Sequence, residues 1–229
     1  MTFLELVKRA RQECGIAGDG PITTANQSRE MKRLVDWTAQ AWVDIQNERS
    51  DWDFLYRDFS FRTVAGQQVY EAGNGLDINV SDMKKWRNDS FSIYLETAGP
   101  GSEMHLTHIL PYSAFKDYYM FGAQRLTRGM PHCISVAPDR KLALGPNPEN
   151  VYVVEGEYYR RAQVLAADGD VPICDEDYHM LIVYGAMKKY GYFEVANEQV
   201  AAAKAERDAL YNRFINEYTP MIEMGGSLI

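Results

Sequence analysis

Four histidines, three cysteines and 32 carboxylate side chains are the groups in this 229-residue chain that could carry chemistry. His105 and His108 stand three apart in a strand-like stretch, so they face opposite sides and suit no shared metal. His132-Cys133 is a single pair with no second pair to complete a four-ligand set. His179 opens a helical stripe beside Tyr178, where a packed or hydrogen-bonded imidazole is expected rather than a catalytic one. Asp168-Gly169-Asp170 resembles the start of a calcium loop. It lacks the later oxygen ligands and the closing Glu, so a turn is expected. Glu155 and Glu157 share one strand face, as acid–base work requires, although solvated or interfacial charge is the commoner use of such a pair.

No sequence motif names a reaction. Gly73-Asn74-Gly75 does not continue as a phosphate-binding loop, and there is no GxxxxGK[ST], GxSxG or CxxC. The basic runs Lys8-Arg9, Lys84-Lys85, Arg160-Arg161 and Lys188-Lys189 are two residues each, too short to make a nucleic-acid groove. The expectation is a protein that is not an enzyme, with no catalytic, cofactor-binding or metal-ligating residues and no cofactor.

The elements that would position any such groups are legible. Thr2 and Glu5 form a capping box ahead of a stripe of Phe3, Leu6, Val7, Ala10 and Cys14, with Gly15 as a stop. After a loop at Ile16–Gln27, a helix is expected from Ser28 to Arg49, with Met31, Leu34, Val35, Thr38, Trp42 and Ile45 on one side. Trp42 lies on the stripe and reads as core; Trp37 lies off it and is available to another surface. From Asp51 the period shifts to two: Phe59, Phe61 and Thr63 alternate with polar neighbours, and Gly66-Gln67 can turn the strand back into Gln68–Glu71. Ser90–Glu96 and His105–Leu110 read as strands joined by an exposed tip at Gly99, Pro100 and Gly101, followed by a short helix at Pro111–Phe121 with Phe115, Tyr118 and Tyr119 as apolar positions. Cys133–Val136 and Lys141–Leu144 form a hairpin around Pro138-Asp139.

In Val151–Tyr190 a strand gives way to an acidic loop and then a helix. Val151, Val153 and Glu155 alternate with Tyr152, Val154 and Gly156, and Asp175, Glu176 and Asp177 crowd a helix start. The stripe Tyr178, Leu181, Ile182, Gly185, Ala186 and Lys189 follows. A final helix is expected from Glu194 to Tyr218, ended by Pro220, with an apolar tail beyond it. The fold class expected is α+β. A helical bundle (1–50 and 171–218) would carry an inserted, mainly antiparallel β-rich domain (51–170) and an extended C-terminal arm (219–229).

The net charge of −8 argues against a protein that grips nucleic acid by neutralising phosphates, but not against a surface that nucleic acid passes without sticking. Fifteen tyrosines suit interfaces, where an apolar ring and a polar tip are both useful. No apolar run approaches the ~20 residues that span a bilayer, and MTFLELVKRARQEC is amphipathic rather than signal-like. Three separated cysteines suit reduced thiols in a cytosolic setting.

Gly129-Met130-Pro131-His132 before Cys133–Val136, the run Lys141–Pro148, Glu157-Tyr158-Tyr159-Arg160, Pro172, Tyr178-His179 and Gly185-Ala186 together form a recognisable pattern. With the short first helix, its Gly/Thr loop and the tryptophan-bearing helix ending near Asp51-Trp52, the chain resembles the head–tail adaptor (connector) proteins of tailed bacteriophages over nearly its whole length. That resemblance implies a ring of twelve copies beneath the portal protein of the filled head, a component of the virion made in the host cytoplasm. The ring would extend the DNA channel, let double-stranded DNA pass without specific binding, and offer a platform to tail or tail-tube proteins, with no membrane partner. By the same resemblance the portal-binding arm would comprise Tyr218, Pro220, Met221, Ile222, Met224, Leu228 and Ile229, and Gly99, Pro100 and Gly101 would face the tail or a neighbouring subunit. Two alternatives stand beside it. One is a tail terminator or tail-completion ring; the other is a small hydrolase or sugar-binding module using the tyrosines and carboxylates of Ser90–Arg161.

Overall fold

The computed structural model describes residues 1–219 and has an α+β fold. Among the described residues the helices are α1 (Phe3–Glu13), α2 (Arg29–Glu48), α3 (Tyr112–Tyr119), α4 (Met180–Phe193) and α5 (Asn197–Tyr218). The strands begin with β1 (Tyr56–Arg62), β2 (Val69–Tyr70), β3 (Met83–Trp86), β4 (Ser92–Leu95), β5 (Met104–His105) and β6 (Thr107–His108). They continue with β7 (Arg128–Gly129), β8 (Cys133–Val136), β9 (Leu142–Gly145), β10 (Asn147–Pro148) and β11 (Tyr152–Arg160). The chain divides into two compact units: Met1–Leu55 with the chain from Ala162 on, and Tyr56–Arg161.

The helical unit starts from the capping box. The Glu5 amide donates to Thr2 Oγ1 at 3.3 Å, and the Glu5 carboxylate accepts from the Thr2 amide at 2.8 Å. Phe3, Leu6, Val7 and Ala10 of α1 and Leu34, Val35, Thr38, Ala41, Trp42 and Ile45 of α2 are buried, as their three-and-four spacing requires. Beyond α2, Trp52 is fully buried and stacks on Phe54, with Phe214 of α5 at 4.9 Å between ring centres. Gly185 of α4 lies under α2: a methyl group there would stand 2.8 Å from the Ala41 side chain, so the two helices approach too closely for any larger residue.

Several local expectations change here. Gly191 lies inside α4. It is buried, and a methyl group on it would come within 2.8 Å of Val200 of α5, so it serves close packing. The break falls later, at Glu194–Ala196, and α5 begins at Asn197. The carboxylates Asp175–Asp177 open a single 3₁₀ turn, Glu176–Tyr178, and α4 begins at Met180. Trp37 is taken up inside the unit, with its ring 5.7 Å from Phe193 and 6.4 Å from Tyr190.

In the strand unit, β11 is the central element. It pairs antiparallel with β1 from Tyr56↔Tyr159 to Arg62↔Val153, while its other edge takes β4 and then β3. β5 extends this first sheet beyond β4. A second sheet has the order β2-β9-β8-β6, and β7 and β10 form a short parallel pair. The β8–β9 hairpin turns at Pro138-Asp139, with Arg140 closing the turn at φ +67°. One core draws on both sheets: Phe59, Phe61, Ile93 and Val154 from the first, Tyr70, Ile134, Leu142 and Leu144 from the second.

Two pairings depart from the sequence reading. β2 does not fold back on β1; it pairs with β9 in the other sheet. His105–Leu110 is not one strand. It breaks at the buried Leu106, whose amide donates to the Phe91 carbonyl, so β5 stays in the first sheet and β6 joins the second beside β8. Both changes follow from covering an apolar face, since a strand passed between sheets buries residues from both.

Candidate interaction surfaces

His179, Asp168 and Asp170 are each held by contacts within the helical unit. His179 is fully buried; its Nε2 lies 3.2 Å from the Cys174 carbonyl and its Nδ1 lies 2.7 Å from the Met1 amine. Nε2 therefore carries the proton and Nδ1 accepts. Burial, then the neighbouring ammonium, lowers the pKa of this imidazole and keeps it neutral. Asp168 and Asp170 do not converge on an ion. Asp168 accepts from the Thr24 amide at 2.6 Å and from its hydroxyl, tying the α1–α2 loop to the segment before α4. Asp170 accepts from the amides of Ala166 and Ala167 at 2.7 and 2.8 Å, closing its own turn. Among the described residues no three His, Cys, Asp or Glu side chains gather closely enough to hold a metal ion.

His132 and Cys133 form a small group of their own. The Tyr119 hydroxyl lies 3.0 Å from His132 Nε2 and 3.4 Å from Cys133 Sγ. Burial, then the bond to Cys133, pushes this hydroxyl up to about 12. The Tyr119 ring lies against Gly145, where a methyl group would come within 2.7–2.9 Å of its carbons. Gln68 Nε2 donates to the Tyr119 carbonyl at 3.1 Å, and Phe115 is fully buried beneath the same helix. These contacts anchor one side of α3, leaving the other side in solvent.

That free side carries Lys116 and Asp117, and large apolar residues stand exposed beside them. Tyr118 is 67% exposed, Phe121 76% and Leu126 82%, with Leu110 at 68% just before α3. Tyr118, read from the sequence as an apolar position of this helix, therefore faces water. Below it lies a groove of about 560 Å³ lined by Gln67, Gln68, Met120, Arg125, Leu126 and Arg128. Arg125 and Arg128 are exposed and have no carboxylate partner among the described residues, and Arg128 lies over Gly66. We call this surface the α3 shoulder.

Glu155 and Glu157 lie on the outer face of the first sheet, in a groove of about 540 Å³ that also takes in Asp58, Ser60, Ser90 and Ser92. The register sets Asp58 opposite Glu157 and Ser60 opposite Glu155. Directly opposed like charges destabilise a strand pair. Arg87 relieves Glu157 at 3.1 Å, whereas Glu155 has only the Tyr94 hydroxyl at 3.5 Å and Asp58 has no partner among the described residues. Tyr56 and Tyr159, paired edge to face, flank the carboxylates at one end.

The tip at Gly99, Pro100 and Gly101 is a solvent-facing turn between β4 and β5. Gly99 and Gly101 take φ +73° and +108°, and a methyl group on either would meet nothing within 4 Å. Tyr218 belongs to the last turn of α5. Its hydroxyl accepts from the Asp175 amide at 3.0 Å, and its ring packs on Phe214, Phe54 and Tyr178. The other arm residues, Pro220, Met221, Ile222, Met224, Leu228 and Ile229, lie outside the described residues. Sequence reasoning missed the α3 shoulder. The signal was present in Phe121 and Leu126, two large apolar residues with no periodic partner, next to two arginines. No described helix is long and apolar enough to cross a membrane.

In comparison with known families, the family model described as SU10 adaptor protein matches residues 1–227. No curated protein matches the chain.

Proposed function

The chain belongs to the SU10 adaptor protein family, a bacteriophage adaptor family, and from that membership we propose that it is a structural head–tail adaptor of a tailed phage. In this reading it forms a ring beneath the portal, extends the DNA channel and offers the tail its attachment platform. The observation that carries the reading is the match over residues 1–227, which takes in both units and the five described α-helices. The contacts that occupy Asp168, Asp170 and His179 support a structural rather than a catalytic use of these groups. A net charge of −8 supports a channel that lets DNA slide, because phosphates are held by cations.

The partners follow from the same reading. They are the portal protein on one side, tail or tail-tube proteins on the other, and further copies of the chain beside it, twelve in all. The apolar segment Met221–Ile229 is the arm proposed to dock on the portal, and the Gly99–Gly101 tip is proposed to meet the tail or a neighbouring subunit. Deleting Met221–Ile229 is expected to leave the helical unit folded, since Phe214 and Tyr218 pack within it, and to abolish binding to portal-bearing heads. Co-sedimentation of the truncated chain with such heads tests this. Undiminished docking would refute the arm.

A further inference from the structure

We propose that the α3 shoulder of one copy docks on the outer face of the first sheet of a second copy, in head-to-tail fashion. This inference rests on the ring reading and gives it a specific contact. Both surfaces belong to the unit Tyr56–Arg161, are grooves of similar size, and carry opposite charge.

The charge match is close. The shoulder presents two guanidinium groups, Arg125 and Arg128, without carboxylate partners among the described residues. The sheet face presents two carboxylates, Asp58 and Glu155, that no cation of the same copy engages among the described residues. On a chain of net charge −8, a groove lined by two arginines and, among the described residues, no carboxylate is the exception. The opposition of Asp58 and Glu157 is likewise a local conflict within one copy. An arginine arriving from a second copy relieves both, through a bond geometry suited to carboxylates.

The apolar parts agree. Phe121 and Leu126 beside the arginines need a surface that is neither fully polar nor already packed. Tyr56 and Tyr159 beside the carboxylates supply ring faces with polar tips, the chemistry enriched at interfaces. The shoulder is also held firmly. Tyr119 against Gly145 and the buried Phe115 fix α3, so docking orders little that is loose. Because the two surfaces differ, the contact is heterologous. It leaves one of each free at every step and so propagates until a ring closes.

The test uses the full chain in two charge-reversed forms, R125E/R128E and D58K/E155K, examined alone and with purified portal by sedimentation and native mass. All four residues are on the surface, and far-ultraviolet circular dichroism checks the fold. If either form fails to fold, R125Q/R128Q and F121S replace it. Each reversed form alone is expected to lose self-association by on the order of 100-fold, the consequence of like charges facing each other. Mixed one to one, the two forms are expected to assemble again, because each then meets the other's complementary surface. Assembly by either form at the wild-type level overturns the docking while leaving the ring standing, and so does a mixture that does not recover. Loss of portal or tail binding with self-association intact would assign the shoulder to another protein and also overturn it. Wild-type protein that stays monomeric both alone and on portal would overturn the ring reading and the docking with it.

Discussion

Replacing Gly145 by alanine tests how α3 is held, and its outcome can be worked out from the local geometry. The added methyl would stand 2.7–2.9 Å from three carbons of the Tyr119 ring, well inside ordinary contact distance. The ring cannot tilt away freely, because its hydroxyl is bonded to His132 and its other side meets Phe115. Overpacking of this kind costs about 1–3 kcal/mol. Tyr119→Ala removes a half-buried ring and is expected to cost roughly 2–3 kcal/mol, somewhat less than a fully buried aromatic. In that background the clash is gone, and Gly145→Ala should be neutral or slightly stabilising, since alanine restricts the unfolded chain more than glycine does. The double-mutant cycle should therefore show a coupling of about 1–3 kcal/mol. Tyr119→Phe is the control: it loses only hydroxyl bonds, about 1 kcal/mol, and should leave most of the cost of Gly145→Ala in place, because the ring still meets Phe115. Urea denaturation gives the four free energies, and amide hydrogen exchange over β8 and β9 reports locally. A coupling below about 0.5 kcal/mol would refute the claim that Tyr119 is seated on Gly145.

Two further outcomes follow from single groups. Hydrogen bonds from Thr23 and Thr24 hold the Asp168 carboxyl below the usual aspartate range, so it contributes stability that is present at neutral pH and lost as pH falls through its lowered pKa. Asp168→Asn should therefore lower the melting temperature at pH 7, and the gap should close as the pH falls below the usual aspartate range. A gap that does not change with pH would contradict this. Burial pushes the thiols of Cys14 and Cys174 up to about 12. At pH 8 their thiolate fraction is then roughly 10³-fold below that of an ordinary cysteine. Both should resist alkylation in the native protein and react on denaturation, as mass spectrometry of the labelled peptides would show. Rapid native labelling of either would contradict the burial.

Much of the secondary structure could be read directly. The Thr2–Glu5 box, the α2 stripe and the β11 alternation are local patterns with short-range causes, and each lies where its spacing puts it. The candidate site was less legible. Glu155 and Glu157 could be placed on one face from their spacing, but the presence of Asp58 opposite them depends on the register between β1 and β11, strands about a hundred residues apart in the chain. Tyr118 was misread because an eight-residue helix offers too few turns to separate its packed side from its free one.

What the sequence by itself determined is the described helices and the longer strands, the α+β class, the resemblance to phage adaptors and the net charge. These depend on residue type and near-neighbour spacing. Only the tertiary structure decided that β2 crosses to β9, that the chain changes sheets at Leu106, and that Gly191 packs against Val200. It also decided which charges go unanswered: Asp168 finds Thr24, whereas Asp58, Arg125 and Arg128 find no opposite charge among the described residues. The physical reason is common to all of these. A sheet partner, a close approach between helices or a counter-charge is a relation between distant segments, and the core selects it by burying the most apolar surface at once.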